Sequence, residues 1–142
     1  MSSKKEAIEK LVAEIATAHP NEVRDVTEAT AAVMRREASM PTGLDHGIAV
    51  PHGRSAVVDG IVGAVAILDN AGTANGCISD YEMIDNSTVS ILVLTLANDT
   101  AQTPYLQLMS FISKALRANN GYQKLAQCKT ADEMRKFFHS VR

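Results

Sequence analysis

Apolar residues recur along the chain with two different periods, which divides it into helices and strands. Near the N-terminus they recur at three- or four-residue intervals along one helix face: Ile8, Leu11, Val12 and Ile15. Ser3 and Glu6 have the spacing of a capping box, which satisfies free N–H groups of a first helical turn. Pro20 disfavours helix at the residue before it and ends the pattern. We therefore predict a first helix over about residues 4–18.

A second helix is predicted over about residues 26–38, because the apolar residues of this segment again return at helical spacing. The side chains expected to face inward are Val26, Ala29, Val33 and Met34. Arg35 and Arg36 lie in its last turn, where the helix dipole favours positive charge.

Three later runs have the length of strands. The first, GIAV at 47–50, is short and stops before Pro51. The runs GIVGAVAIL at 60–68 and TVSILVLTLA at 88–97 are apolar at nearly all odd and even positions, which is typical of strands covered on both faces. We therefore expect these two runs to form the centre of a sheet.

The segment between the two long strands is rich in Asn, Asp and Gly, which favours loops. Within it we expect a short strand near Cys77–Ser79 and a turn at Asp85–Asn86. Three helices then follow: one with Pro104 at its start, a shorter one over about 121–127, and one opened by a capping box of Thr130 and Glu133. The apolar stripe of the first of these helices is Tyr105, Leu108, Met109, Ile112 and Leu116.

Helices before and after a sheet that is apolar on both faces imply three layers. We therefore predict one domain over residues 1–142 with an α/β (α+β) fold, a three-layer helix/sheet/helix sandwich with a mixed central β-sheet.

Charge and composition argue against several classes of binding partner. The 14 basic and 16 acidic residues give a net charge of −2, which argues against nucleic acid or an anionic membrane surface as the main partner. No apolar run reaches the roughly 18–20 residues of a membrane helix, and the N-terminus lacks the apolar core of a signal peptide. We therefore expect a cytoplasmic domain with no direct membrane insertion. Cys77 and Cys128 have no metal-type spacing and are expected to be reduced.

The stretch GLDHGIAVPHGR, residues 43–54, carries the candidate chemistry. A histidine between proline and glycine, after a short strand, is expected on a loop with its imidazole toward solvent. A neutral imidazole is a nucleophile that needs no added base. Phosphoryl transfer further requires donors for the charged oxygens, and Arg36 and Arg54 can supply them. The alternatives are an ordinary loop histidine for His52 and solvated surface charges for the two arginines.

The longer run RREASMPTGLDHGIAVPHGR resembles the enzyme IIA domains of the fructose, mannitol and nitrogen-related branch of the bacterial phosphotransferase system. Those domains carry an Arg-Glu pair, a Thr-Gly loop and then Gly-Ile-Ala-hydrophobic-Pro-His. Further segments follow in the family's order, so the likeness covers nearly the whole chain: SKKEAIEKL, DYEMIDN, ILVLTLAND and YLQLMSFISKAL. The resemblance implies that His52 is the phosphorylated histidine and that Arg36 is the active-site arginine.

Two positions depart from the family's pattern. Where the family tends to place a second histidine, at the start of the helix after the last long strand, this chain has Tyr105. A phenol can donate to a phosphoryl oxygen but brings no positive charge, so stabilisation of the transferring group is expected to be weaker or differently built. His46 stands where relatives commonly have an amide or a carboxylate. It is either a loop substitution without a role or a replacement donor, and the second reading requires a chain bend near Gly47.

A metal site is the remaining alternative for the histidines of this stretch. A set of His46, His52, Asp45 and Cys77 has no compact ligand spacing, so we expect no metal there. The resemblance implies no metal and no organic cofactor. His19 and His139 are expected at the surface.

The resemblance implies a phosphotransferase, a phosphohistidine carrier that accepts a phosphoryl group on His52 from the histidine phosphocarrier protein and passes it to enzyme IIB during sugar uptake. Both contacts are expected to be transient. The alternative is a regulatory interaction module, of the nitrogen type or fused to a membrane transporter, that controls a partner protein. Tyr105 favours the alternative, and so does the start of the chain, since relatives usually have a further strand before the first helix. Either the fold has lost an edge element or the chain is excised from a longer protein.

Overall fold

The computed structural model describes residues 3–44, 46–67, 78, 80–85, 88–118 and 120–140. The helices of that part of the chain are α1 (Lys4–Ala18), α2 (Val26–Ser39), α3 (Gln102–Arg117), α4 (Gly121–Ala126) and α5 (Ala131–Ser140). The strands are β1 (Ile48–Ala49), β2 (His52–Arg54), β3 (Ile61–Ile67) and β4 (Ile91–Ala97). The predicted helices and the two long strands are confirmed.

Side-chain caps begin the first and last helices where the sequence predicts them. Ser3 Oγ accepts a hydrogen bond from the Glu6 N–H at 3.1 Å. At the start of α5, Thr130 Oγ1 accepts from the Glu133 N–H at 3.2 Å, and Glu133 Oε2 accepts from the Lys129 N–H at 2.9 Å. These caps satisfy N–H groups that have no acceptor within the helix.

β4 is the central strand of a mixed sheet. β1 and β2 both run parallel to it with the same offset of 43 residues, since Ile48 pairs with Ile91 (91 − 48) and His52 with Thr95 (95 − 52). They are therefore two parts of one strand path, interrupted at residues 50–51. β3 pairs with β4 in the antiparallel direction along all seven of its residues.

Helices cover both faces of β4, all of whose residues are buried. Leu92, Leu94 and Leu96 belong to a core built with α1 and α2. Ile91 and Val93 belong to a second core built with α3, α4 and α5. Because successive side chains of a strand point to opposite faces, this division confirms the predicted helix/sheet/helix sandwich.

Two expectations need correction. β3 lies beside β4 at the edge of the described sheet and not at its centre, and Gly63 and Val65 on it are exposed. Val26 is 39% exposed, because the first residue of α2 lies beyond the packed face of the helix. Near the predicted short strand, Ile78 forms an isolated antiparallel bridge with Val89.

Other expectations about the loops fall outside the described residues, namely those on Cys77, Ser79 and Asn86. No helix in the described ranges has the length and apolar character needed to cross a bilayer.

Candidate functional site

The strand path that carries His52 is interrupted by a proline and then resumes. Val50 N–H donates to the Thr42 carbonyl at 3.1 Å, while Pro51 has no N–H and its carbonyl accepts from the Thr95 N–H at 3.1 Å. His52 opens β2 opposite Thr95, and its side chain is partly buried. The expected loop is therefore wrong, because pairing with β4 continues on the far side of the proline, whereas the ring keeps part of the expected exposure.

Gly53 lets α2 approach β2 closely. A Cβ atom at this position would lie 2.8 Å from the backbone nitrogen of Val33 and 3.0 Å from its Cγ2. A larger residue would therefore separate the helix from the strand. Since Val33 lies about one helical turn before Arg36, this contact helps to fix the arginine relative to His52.

The imidazole of His52 is oriented by its own backbone. Nδ1 lies 2.8 Å from the carbonyl oxygen of Val50. Since a carbonyl only accepts, we assign the ring proton to Nδ1, and Nε2 then carries the lone pair. Burial lowers the pKa of His52 below the usual 6.5, and Arg36 and Arg54 lower it further. The Val50 hydrogen bond and the Glu37 carboxylate oppose this pKa shift without reversing it.

Tyr105 packs beside this ring. The two ring centroids are 5.7 Å apart and the planes are inclined at 53°. The guanidinium carbon of Arg54 lies 5.1 Å from the Tyr105 centroid, within the range of a cation–π contact. Burial raises the pKa of the Tyr105 phenol, although Arg54 and Arg36 oppose the rise. The phenol therefore stays protonated at neutral pH and can act as a hydrogen-bond donor.

Arg36 lies near the C-terminal end of α2, where its Nη1 donates to the Met40 carbonyl at 2.7 Å. Its charge lowers the pKa values of both His52 and Tyr105. The structure thus brings four of the five predicted site residues into one electrostatic neighbourhood: His52, Arg36, Arg54 and Tyr105.

A buried carboxylate beside Arg36 was missed by the sequence reasoning. Glu37 is only 3% exposed. It accepts a hydrogen bond from the Tyr81 hydroxyl at 2.5 Å and others from the backbone N–H and hydroxyl of Thr42. The Lys4 ammonium lies 3.4 Å from the Glu37 carboxylate and 4.7 Å from the Tyr81 ring centroid. The only sequence signal for this network is the Arg-Glu pair with its Thr-Gly loop.

His46 is the predicted site residue that the structure places elsewhere. The expected bend is present, since His46 has φ +60° and Gly47 has φ +77°, a region that favours glycine. However, the bend takes the His46 ring to α4, where it stacks on Tyr122 with centroids 5.5 Å apart and an interplanar angle of 22°. The His46 N–H donates to Asp85 Oδ2 at 3.1 Å.

No group of three or more His, Cys, Asp or Glu side chains among the described residues could hold a metal ion. Asp45 and Cys77 of the suggested metal set lie outside those residues.

Cys128 is a free, buried thiol whose pKa is raised by burial. His19 is at the surface, as predicted, with Nδ1 4.0 Å from Glu22; the side chain of His139 is not among those described.

The chain is similar in sequence to proteins of a known family. The family model "Phosphoenolpyruvate-dependent sugar phosphotransferase system, EIIA 2" matches residues 1–141. The chain is 29% identical over 131 residues to the nitrogen regulatory protein of Bradyrhizobium diazoefficiens, covering 92% of this chain and 79% of that protein. It is 28% identical over 133 residues to the 2-O-α-mannosyl-D-glycerate-specific EIIABC component of Escherichia coli, covering 94% of this chain but 19% of that component.

Two solved structures share the fold. The nitrogen regulatory protein IIA-Ntr from Neisseria meningitidis superposes with a TM-score of 0.77 at 23% identity, covering 97% of this chain and 88% of that one. The complex of the mannitol enzyme IIA with phosphorylated enzyme IIB from Escherichia coli gives a TM-score of 0.69 at 20% identity, covering 99% of this chain and 90% of the matched one.

Proposed function

The chain belongs to the EIIA 2 family of the phosphoenolpyruvate-dependent sugar phosphotransferase system, and from this premise we propose that it carries a phosphoryl group on Nε2 of His52. EIIA domains of this system carry phosphoryl groups and interact with EIIB. The assignment of the acceptor atom, of the supporting residues and of the phosphoryl donor is our proposal.

The observation that carries the proposal is the 2.8 Å contact between His52 Nδ1 and the Val50 carbonyl. It holds the proton on Nδ1 and assigns the nucleophilic lone pair to Nε2. The lowered pKa of His52 keeps the ring neutral at pH 7, so most molecules are ready to react.

The transfer balances without a cofactor. The Nε2 lone pair of His52 attacks the phosphorus of a phosphohistidine on the histidine phosphocarrier protein, and a new N–P bond forms. The donor's N–P bond breaks, and its electron pair returns to the donor imidazole. His52 now bears positive charge, which the Nδ1–H group shares with the Val50 carbonyl through their hydrogen bond. Passage of the group to an acceptor on enzyme IIB repeats the step in the same sense.

Two guanidinium groups and one phenol supply the electrostatic stabilisation. Arg36 and Arg54 would hold the equatorial oxygens of the transferring group, since their planar forks match its charge and geometry. Tyr105, whose ring lies beside His52, would donate a neutral hydrogen bond. His46 remains a candidate donor from the sequence, but its stack on Tyr122 favours a role in the loop instead.

The test is incubation with phosphoenolpyruvate, enzyme I and the histidine phosphocarrier protein, followed by mass analysis of the intact chain. We expect an acid-labile gain of one phosphoryl group, which His52→Ala abolishes. His46→Ala is the matched histidine control and is expected to accept the group as the parent does. No gain under conditions that phosphorylate a known EIIA domain would refute the proposal.

A regulatory module is the second candidate, and one observation favours it. Tyr105, which stands where the resemblance implies a second histidine, is 8% exposed and packs its neutral ring beside the imidazole. A site that transfers its phosphoryl group slowly is better suited to a signalling domain than to a sugar carrier. A relative of comparable identity is a nitrogen regulatory protein. In another relative the matched region is 19% of an EIIABC component, so we treat residues 1–142 as a single domain that can stand alone or within a longer protein.

The rate of onward transfer separates the two candidates. A carrier passes its phosphoryl group to an enzyme IIB domain within the turnover time of sugar uptake. A regulatory module retains it, and its phosphorylated form binds a target with an affinity different from that of the unmodified form. Measuring the decay of the phosphorylated chain with and without enzyme IIB distinguishes these outcomes.

A further inference from the structure

The outer edge of β3 carries backbone N–H and C=O groups that pair with no other strand of the described residues. In an antiparallel pair, alternate residues direct both N–H and C=O toward the partner strand. The Asn98 N–H donates to the Gly60 carbonyl at 2.9 Å. Gly60 and the even-numbered residues of β3 therefore direct their N–H and C=O groups inward, toward β4. The outward set on β3 is therefore Ile61, Gly63, Val65 and Ile67. In the described part of the chain, β3 pairs only with β4.

A groove lies beside this edge on each face of the sheet. On the face of α3 and α5, a groove of about 910 Å³ is lined by Val65 together with Phe111, Met134 and other apolar side chains. On the face of α1, a groove of about 280 Å³ is lined by Val65 together with Leu11. Since both grooves meet at β3, they are placed to receive the alternating side chains of one additional strand.

The sequence of β3 itself lacks the charged residues and prolines by which proteins block strand addition. The sequence IVGAVAI has no charge and no proline, and Val65 is 38% exposed at its middle. An uncharged seven-residue edge of this kind is a template for another apolar strand.

We propose that β3 of a second copy of this chain occupies this position, so that two sheets join into one across a two-fold axis. An antiparallel register centred on Ala64 pairs every outward residue reciprocally, Ile61 with Ile67 and Gly63 with Val65. It thereby sets the Val65 side chain of each copy opposite the smallest residue of the other. The interface is isologous, as two-fold dimers require.

The charges of α1 fit the same symmetry. Lys10 and Glu14 both line the smaller groove, one helical turn apart. A two-fold axis perpendicular to the sheet brings the two α1 helices together in antiparallel directions. In the proposed dimer, Lys10 and Glu14 of one copy would be presented to Glu14 and Lys10 of the other, and this charge complementarity supports a second copy as the occupant.

This arrangement leaves the site of His52 open. The Thr95 N–H donates to the Pro51 carbonyl between β1 and β2, whereas the Asn98 N–H donates to the Gly60 carbonyl just before β3. The proposed dimer edge and the His52 edge therefore lie on opposite sides of β4. Each copy can meet a phosphoryl donor independently of the other.

Disulfide trapping tests the register. In a Cys77→Ser background, Ala64→Cys places two thiols in a pair that exchanges no hydrogen bonds, where Cα atoms are about 4.5 Å apart and a disulfide can form. Ala66→Cys is the matched control. It projects to the same face, but its two copies would be separated by about four residues, roughly 13 Å. We expect mild oxidation to link the Ala64→Cys protein into a dimer and to leave the Ala66→Cys protein unlinked.

Sedimentation equilibrium of the unmodified chain tests the dimer itself. We expect a dimer whose dissociation constant rises by about tenfold or more in Val65→Lys. Ile84→Lys, at a site that is 70% exposed and off this edge, should leave the constant unchanged. A monomer across the accessible concentration range would overturn the proposal, as would equal trapping of the two cysteine variants. The Ala64→Cys result supports the register even if Val65→Lys proves unstable.

Discussion

The guanidinium carbon of Arg54 lies 5.1 Å from the centre of the Tyr105 ring. The same ring lies 5.7 Å from the imidazole of His52, so the aromatic side chain contacts both the nucleophile and a cation predicted to bind the phosphoryl group. In the proposed reaction, Tyr105 would therefore act in two ways, through its hydroxyl and through the position of Arg54.

Replacing Tyr105 with histidine should accelerate phosphoryl transfer. A protonated imidazole adds a charge-assisted donor where the phenol offers a neutral one, and an added stabilisation of about 1.4 kcal/mol corresponds to roughly tenfold in rate. The measurement is the initial rate of phosphoryl gain from the phosphocarrier protein. Tyr105→Phe keeps the ring and its contact with Arg54, and should be slower than the parent. An unchanged or lower rate in Tyr105→His would show that this position does not face the transferring group.

Arg36 should matter more for transfer than Arg54. Arg36 is anchored at Met40, and its effect on the pKa of His52 exceeds that of the more exposed Arg54. Loss of one well-placed donor to a developing anion typically costs about 10²-fold in rate, so we expect a loss of this order in Arg36→Ala and about tenfold or less in Arg54→Ala. Single-turnover rates of the two variants and the parent decide the question. If all three agree, Arg36 does not belong to the site.

The lowered pKa of His52 predicts how stability and rate depend on pH. The unfolded chain binds this proton more readily, because its histidine titrates near 6.5 and the folded one titrates below that value. The free energy of unfolding therefore falls as the pH is lowered through this window, and it is independent of this group above about pH 7.5. The rate of phosphoryl acceptance should fall with an acid limb whose midpoint also lies below 6.5.

NMR titration of the His52 ring checks the pKa and the tautomer together. The Nε2 resonance should show an unprotonated nitrogen at pH 7.5. Arg36→Gln should raise the pKa of His52, because the arginine is one of the causes of its depression. In His52→Gln the fall in unfolding free energy between pH 7 and 5.5 should be smaller. A midpoint above 6.5 in the parent would contradict the prediction.

Replacing the buried carboxylate of Glu37 should lower the free energy of unfolding and also lower the rate of phosphoryl transfer. Glu37→Ala leaves Thr42 and Tyr81 without their shared acceptor and Lys4 without its ion-pair partner. Loss of such a charged hydrogen-bonded group costs about 3 kcal/mol, measured as the free energy of unfolding in urea. Glu9→Ala removes an exposed carboxylate 3.9 Å from Lys5 and should cost about 0.5 kcal/mol or less.

The transfer rate of the same variant tests the link to the site. Because Glu37 ties the end of α2 to residue 42, its loss should displace Arg36 and lower the rate even under conditions where the variant is folded. Full activity in a destabilised Glu37→Ala protein would limit the network to a structural role.

The helices and β4 could be predicted because their signals are local. Caps, helical spacing and an uninterrupted apolar run each lie within a few residues of the element that they define. The position of β3 could not be predicted in this way. Ala64 and Ala66 are apolar whether a strand lies at the centre or at the edge, so the pattern does not show that Gly63 and Val65 are exposed.

Only part of the candidate site could be predicted, because several of its contacts join residues that are remote in sequence. Proline after a short strand normally indicates its end, whereas here the pairing of His52 with Thr95 restores the strand across 43 residues of sequence. The contact between Glu37 and Tyr81 spans 44 residues and has no periodic signature. The bend at His46 follows from the glycine beside it, but its direction depends on Tyr122, which is remote in sequence.

The hydrogen bond between His52 Nδ1 and the Val50 carbonyl fixes the ring tautomer through a backbone acceptor, which any residue at position 50 would supply. Under the proposed function, substitutions on the surrounding surface would change which proteins dock without changing which ring nitrogen of His52 accepts the phosphoryl group. A change of partner could therefore be sought at surface positions outside the candidate site, with the VPH tripeptide kept.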